Sequence, residues 1–330
     1  MPEMKNPDRY GQIDQKIVDE LMVYENSYFR EDTPIPFLEG LTIYPIAVKD
    51  YEAFASCSIC FSLNKNEDPK GVAVSHLDYL LNKIDLPDHE GQMWLMKIIK
   101  LMTMVFHLEL GYLCKDCGKV LSYKSEEVSK YMSECKTYVE TITQNPDLYA
   151  STPEPKLICP NCGKDVFEET FQIKVDEQTK KKRLFLNGQE IKKQDFNRLR
   201  QIVLFQNFPD YADETWIDPA VKKDHDERLR IEQQKNDVHA TIEKKVICLS
   251  VTTNYKLSEI WNMSIRHFTM ALSTVDDLIN YKLLKQAKYS GLSGFPKDFK
   301  IDHWIYKPNR DIYGDSYKDV DQITNEINRI

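Results

Sequence analysis

The sequence predicts an α+β protein: a mostly α-helical body with a small, cysteine-pinned β-subdomain inserted in it. Three observations lead there. Apolar residues recur three and four apart through most of the chain. Glycine is scarce, with 11 residues in 330, and charged residues make up 29%, a balance that favours helices over a sandwich of short strands. Between Gly111 and Lys192 this helical texture gives way to two Cys-x-x-Cys pairs, an alternating stretch and an Asn-Gly turn. The chain divides on this reading into an N-terminal helical region with a short β-hairpin (1–110), the insertion (111–192) and a C-terminal helical region (193–330).

In chain order, Ile13, Ile17, Val18, Leu21 and Met22 have the spacing of an amphipathic helix. Pro34, Pro36, Gly40 and Pro45 break helices, and the β-branched and aromatic residues among them predict a short hairpin. A mostly apolar helix over about 50–63 follows, with acids in its first turn where the helix dipole favours them. Asn64 to Gly71 is a polar loop. Ser75 with Asp78 three residues later signals a capping box for a helix lined by Leu77, Leu80, Leu81 and Ile84. After Pro87, Trp94, Ile98, Leu101, Met102 and Val105 predict a central helix.

Within the insertion, Val128, Tyr131, Met132, Cys135, Val139 and Ile142 predict a helix between the cysteine pairs. Phe167 to Val175 alternates like a strand, and Asn187-Gly188 is the two-residue turn of a hairpin. Helix resumes with Phe196, Leu199, Ile202 and Val203. Asp218-Pro219 starts a densely charged, projecting helix that reaches about residue 245. A last helix spans about 264–289, with Ile265, Phe268, Leu272, Val275 and Ile279 on one face and Gly291 at its end. The aromatic tail (Trp304, Tyr306, Tyr313, Tyr317) is expected to pack irregularly over the body.

Two segments are nearly the same sentence written twice: Leu113-Cys114-Lys115-Asp116-Cys117-Gly118-Lys119 and Ile158-Cys159-Pro160-Asn161-Cys162-Gly163-Lys164. Each places a glycine after its second cysteine, where a knuckle turn needs positive φ, and a lysine beyond it. The spacing predicts one structural Zn²⁺ on Cys114, Cys117, Cys159 and Cys162, with Lys119 and Lys164 offsetting the surplus thiolate charge. Four thiolates leave no open coordination position, so this zinc is expected to fold the insertion rather than catalyse. Positions 118–158 separate Cys117 from Cys159, 41 residues, so the intervening helix must return the chain to the site. Cys57-Ser-Ile-Cys60 forms a third pair in an apolar helical run. It reads as core packing, with a second metal or a redox site as the alternative. Cys135 and Cys248 are expected to be small buried hydrophobes.

The formal net charge of −8 argues against a protein devoted to the phosphate backbone of nucleic acid. The one strong basic run is Lys180, Lys181, Lys182 and Arg183, a candidate contact for nucleic acid or a protein partner. Lysine and arginine balance aspartate and glutamate across 111–192, so a solvated hairpin tip is the plainer reading. No phosphate loop, dinucleotide fingerprint, nucleophile elbow or His-Glu-x-x-His pattern occurs, and the seven histidines are dispersed. His107, His267 and His303 are expected in core or interface settings, and Asp276-Asp277 on a solvated helix face. The N-terminus has no apolar secretory core. The run Met93 to Leu110 is interrupted by Lys97, Lys100, His107 and Glu109, too polar to cross a bilayer.

Three stretches together carry a resemblance: Leu41-Thr-Ile-Tyr-Pro-Ile-Ala-Val-Lys-Asp-Tyr-Glu-Ala-Phe54, Ser75-His-Leu-Asp-Tyr-Leu80, and Met263-Ser-Ile-Arg-His-Phe268 with Tyr289-Ser-Gly291. With the two knuckles, they make the chain resemble tail-assembly or baseplate-hub proteins of tailed bacteriophages, some of which carry a central cysteine-knuckle insertion. The resemblance implies a non-enzymatic assembly factor or structural adaptor. Its partners would be other phage tail or baseplate proteins, or further copies of itself, with neither nucleic acid nor membrane among them. Its place would be the cytoplasm of the bacterial host or the virion. The alternatives are a zinc-ribbon nucleic-acid-binding or transcription-accessory protein and a metalloenzyme without a familiar motif.

Overall fold

A computed structural model describes residues 32–63, 65, 71, 73–149, 152–177, 181–208, 227, 231, 240–290, 301 and 303–305. The helix expected over Ile13–Met22, nearly all of the charged helix expected after Pro219, and Tyr306, Tyr313 and Tyr317 lie outside these residues. The fold is α+β: among the described residues, long helices with three small antiparallel sheets.

The first hairpin is β1 (Ile35–Leu38) with β2 (Leu41–Ile43), turning through Gly40 at φ +72°. A single 3-10 turn over Val48–Asp50 leads into α1 (Tyr51–Ser62). Helix α2 (His76–Ile84) begins at Ser75, whose hydroxyl accepts the Asp78 backbone N–H at 3.1 Å as the capping signal predicts. Helix α3 (Asp88–Phe106) is central. Ile98, Leu101, Met102 and Val105 are all but fully buried on one side, and His107 closes it in the left-handed conformation.

Next come β3 (Gly111–Cys114), β4 (Val120–Ser122), α4 (Glu126–Gln144) capped by Ser125, and a 3-10 turn over Pro146–Leu148. The alternating stretch expected as one strand is two: β5 (Phe167–Glu169) and β6 (Phe171–Val175). Strand β5 pairs with β3 in the sheet β4-β3-β5. Strand β6 starts a second sheet with β7 (Lys182–Leu186) and β8 (Gln189–Ile191). The break falls at Thr170, which is 1% exposed. Its N–H donates to the Gly111 carbonyl, its hydroxyl accepts the Gly111 N–H, and its carbonyl accepts the Asn187 N–H. Asn187 and Gly188 both have positive φ, so the β7–β8 turn is the one their sequence predicts.

Helix α5 (Lys193–Asn207) returns to the body. The main core joins β1, β2, α1, α2, α3, β7, β8 and α5, so Leu184, Leu186 and Ile191 pack with the helical body rather than with the cysteines. Phe61 of α1 meets Phe196 of α5 edge-on at 5.6 Å between ring centroids. Two cationic side chains are buried, the first of them on α5. The Arg200 guanidinium donates to the Phe61 carbonyl at 3.3 Å, and that of Arg266 to the Phe205 carbonyl at 2.7 Å while lying over the Phe205 ring.

The C-terminal part comprises α6 (Ile242–Thr253), α7 (Leu257–Asn262) and α8 (Ile265–Tyr289). The charged helix expected to run to about residue 245 does not do so: Ala240 and Thr241 are not helical. Thr241 caps a new helix by accepting the Lys244 N–H, and Val246 and Leu249 turn inward. These two residues, with Val48, Ile260 and Phe268, form a satellite core. The satellite is clasped to the body by Val48 N–H to Met263 carbonyl and Ile265 N–H to Ile46 carbonyl, at 2.9 and 2.8 Å.

Candidate metal centre

Each knuckle is built by the same backbone rule. Cys114 N–H donates to the Lys119 carbonyl and Gly118 N–H to the Cys114 carbonyl, both at 2.9 Å. In the second knuckle Cys159 N–H to Lys164 and Gly163 N–H to Cys159 repeat the pattern at 2.8 Å. Gly118 and Gly163 take φ of +70° and +72°, and open space surrounds each, so the glycine is required by its dihedral and not by crowding. Cys114 ends β3, and Lys115 N–H then pairs with the Val166 carbonyl, which brings the second knuckle alongside the first.

The four sulfurs lie within 4.8 Å of one another. They approach crosswise, Cys114 to Cys162 at 3.5 Å and Cys117 to Cys159 at 3.6 Å, too far for disulfides. A tetrahedral Zn²⁺ with Zn–S bonds of about 2.3 Å sets its sulfurs about 3.8 Å apart, so the donor set and spacing suit that ion. The first cysteine of each pair is buried and the second exposed. Asn161 and the Lys119 backbone hydrogen-bond to Cys117 and lower its thiol to about 6. Cys162 goes the other way. A backbone hydrogen bond from Lys164 lowers it, but desolvation and the neighbouring sulfurs outweigh that and push it up to about 12. Four protein sulfurs this close do not all ionise unaided; a divalent cation held by them would supply the missing charge.

Around the sulfurs, Lys164 pairs with Asp116 across the two knuckles at 3.2 Å and Lys115 with Glu168 at 3.2 Å. Lys164, expected beside the thiolates, feels Cys162 and Cys114 as well as Asp116, its nearest partner, which the sequence did not mark. The small sheet has little core of its own: Leu121, Val128 and Leu157 are buried, with Tyr112, Tyr131 and Phe167 against them. Met132 and Val139, expected on the inner face of α4, are more than half exposed. Gly111 is a close approach, because a Cβ there would lie 2.0 Å from the Leu121 carbonyl oxygen. Gly111→Ala is expected to lower stability by about 1–3 kcal/mol in urea denaturation. An unchanged midpoint would show that β3 and β4 can part to admit the methyl.

The other candidates separate cleanly. Cys57 and Cys60 are buried in the main core, and burial pushes their thiols up to about 11 and about 12. They are protonated packing residues, the opposite of a reactive pair. Cys135 is half-buried and Cys248 exposed, which corrects the expectation that both are core. His107 is likewise exposed, stacked on Tyr44 at 4.0 Å, because the end of α3 turns it outward. His267 is partly buried and pairs with Asp32 at 3.1 Å. In the basic run, Lys180 lies outside the described residues. Lys182 pairs with Asp85, and Arg183 with Asp176 at 2.7 Å and Glu190 at 3.8 Å. Lys182 and Arg183 therefore face carboxylates. Among the described residues the four cysteines are the one cluster of three or more side chains able to hold a metal.

Fold and site together define an α+β protein with a four-cysteine centre compatible with zinc. Residues 232–309 are similar to a phage-derived family described as the YomV second domain. The described part of that stretch includes α6, α7, α8 and most of the satellite core. No curated protein and no solved structure matches the chain. Among the described residues, no helix is long and apolar enough to cross a membrane.

Proposed function

We propose that this chain is a non-enzymatic assembly factor or structural adaptor of a phage tail or baseplate, with a zinc-ribbon subdomain held by one structural Zn²⁺. The similarity of residues 232–309 to a phage-derived domain carries the reading. The metal centre supports it, because four thiolates close the coordination sphere and leave no position for a substrate. The ion pairs of Lys182 and Arg183 also support protein over nucleic acid as the partner. The partners are other tail or baseplate proteins of the same genome, met in the cytoplasm of the bacterial host or in the virion.

Native mass spectrometry of the chain, produced together with the products of neighbouring genes, tests this. One zinc per chain and a co-purifying tail or baseplate protein is the expected result. A chain that always purifies alone, and whose deletion leaves particle assembly unchanged, sinks the proposal. Bound nucleic acid in place of protein overturns it in favour of the nucleic-acid reading.

A further inference from the structure

Among the described residues strand β6 is an edge strand of its sheet, as β8 is on the other side. Asp176 N–H donates to the Lys181 carbonyl and Asn187 N–H to the Thr170 carbonyl, so the even-numbered residues from 170 to 176 form the hydrogen-bonded pairs with β7. Phe171, Ile173 and Val175 therefore turn their N–H and C=O groups away from β7. Among the described residues no backbone group pairs with them. An edge of this kind is a template for another extended chain.

Beside that edge lies a groove of about 610 Å³. Its apolar walls are Ile84, Leu95, Ile99 and Leu110 on one side, with β6 along the other. Tyr123, Glu169, Val175 and Lys182 also line it. Five residues of strand span roughly 17 Å, the length of a short peptide in the same conformation.

We infer that the open edge of β6 and the groove beside it receive an extended peptide segment of a partner protein by strand addition. Its alternate side chains are apolar and drop between β6 and α3, and an acidic residue between them lies against Lys174. The outward backbone groups supply general affinity and the groove supplies sequence preference. Lys174 is exposed, with its ammonium over the Phe185 ring, and offers a positive charge to the intervening side chains. A second copy of β6 fits less well. Paired antiparallel about Ile173, it would set the two Lys174 side chains diagonally together, and its own apolar residues already pack against its own core, leaving the groove unfilled. This inference rests on the adaptor reading for the source of the peptide, and on the geometry for the site.

The probe is a fluorescein-labelled synthetic heptapeptide alternating valine with threonine and glutamate; the control has the same length with proline at its centre. Fluorescence anisotropy and hydrogen exchange are read on the full chain. The expected result is saturable binding of the first peptide only, with slowed exchange across Phe171 to Val175. Two variants weaken it by about ten-fold or more, a loss of about 1.4 kcal/mol. Val175→Pro removes an outward N–H and leaves the β6–β7 ladder intact. Ile99→Trp fills the groove instead of opening it. Both are checked for an unchanged melting temperature and one bound zinc; if either has lost its fold, competition by the unlabelled peptide and exchange on the unmodified chain decide. Absent binding, binding without protection of β6, or equal binding by folded Val175→Pro overturns the inference. So does a dimer of the free chain that Val175→Pro dissolves, which assigns the edge to a second copy. Co-purification of a tail protein with wild type and Val175→Pro alike removes the groove but keeps the adaptor reading. Peptide uptake by a chain with no phage partner does the reverse.

Discussion

Cys159→Ser is expected to abolish stoichiometric zinc binding and to unfold the small cysteine-bearing sheet while the helical body stays folded. The size of the effect follows from what else holds that sheet. Its own core is three buried apolar side chains, far too little to offset the ordering of more than fifty residues. Structural zinc binding supplies on the order of 10–16 kcal/mol in small zinc modules, which is folding free energy because the site does not exist in the unfolded chain. Serine at Cys159 removes one ligand and buries an unsatisfied hydroxyl at a position 1% exposed. Elemental analysis should give one zinc in wild type and none in the variant. Hydrogen exchange should quicken across Gly111–Ser122 and Phe167–Glu169, but not in α3. Acid acts in the same direction, because protons compete with the metal for the thiolates, so zinc is retained at neutral pH and released as pH falls. A variant that keeps its zinc, or a metal-free wild type with the same exchange pattern, would refute the assignment.

The second large effect lies in the body. Phe61→Ala is expected to cost about 3–5 kcal/mol, the range for truncating a fully buried phenylalanine. Phe61 is 0% exposed, and its ring is a direct contact between α1 and α5 through Phe196. The void cannot close easily, because the Phe61 carbonyl is tied to Arg200, a buried cation on the same face of α5. The chain therefore cannot shift α1 inward without breaking a charge-assisted hydrogen bond. A shift of the urea midpoint at unchanged slope measures the loss. A cost under about 1 kcal/mol would mean that α1 and α5 are held by something other than this ring pair. Zinc content should be unchanged, since the metal centre has its own separate cluster of apolar residues.

Much of this was legible in the residues, for identifiable reasons. The helices were readable where apolar spacing, caps and breakers agree, as at Ser75 before α2, Pro87 before α3 and Ser264 before α8. The cysteine cluster was readable because two copies of one short segment specify the same turn. What escaped depended on tertiary context. Helix α6 contains Val246, Ile247, Val251, Thr252 and Thr253, β-branched residues that weaken the helical signal, and it forms where Val246 and Leu249 reach the satellite core. Only Glu169, polar where an apolar residue would continue the alternation, marks the junction of the two sheets at Thr170. Cys248 was assigned inward from its apolar neighbours, yet neighbours in sequence face different ways on a helix.

Thr170 has a consequence beyond topology. Its N–H, hydroxyl and carbonyl are all committed, two of them to Gly111 and the third to Asn187, and the residue is buried. The chain therefore passes from one sheet to the other through a residue whose backbone and side chain are both held by hydrogen bonds. The cysteine-bearing arm is mounted on the body as a bracket rather than hung from a tether. Anything that grips both parts meets them at an angle already set, so the entropy of aligning them is spent during folding and not at the moment of encounter.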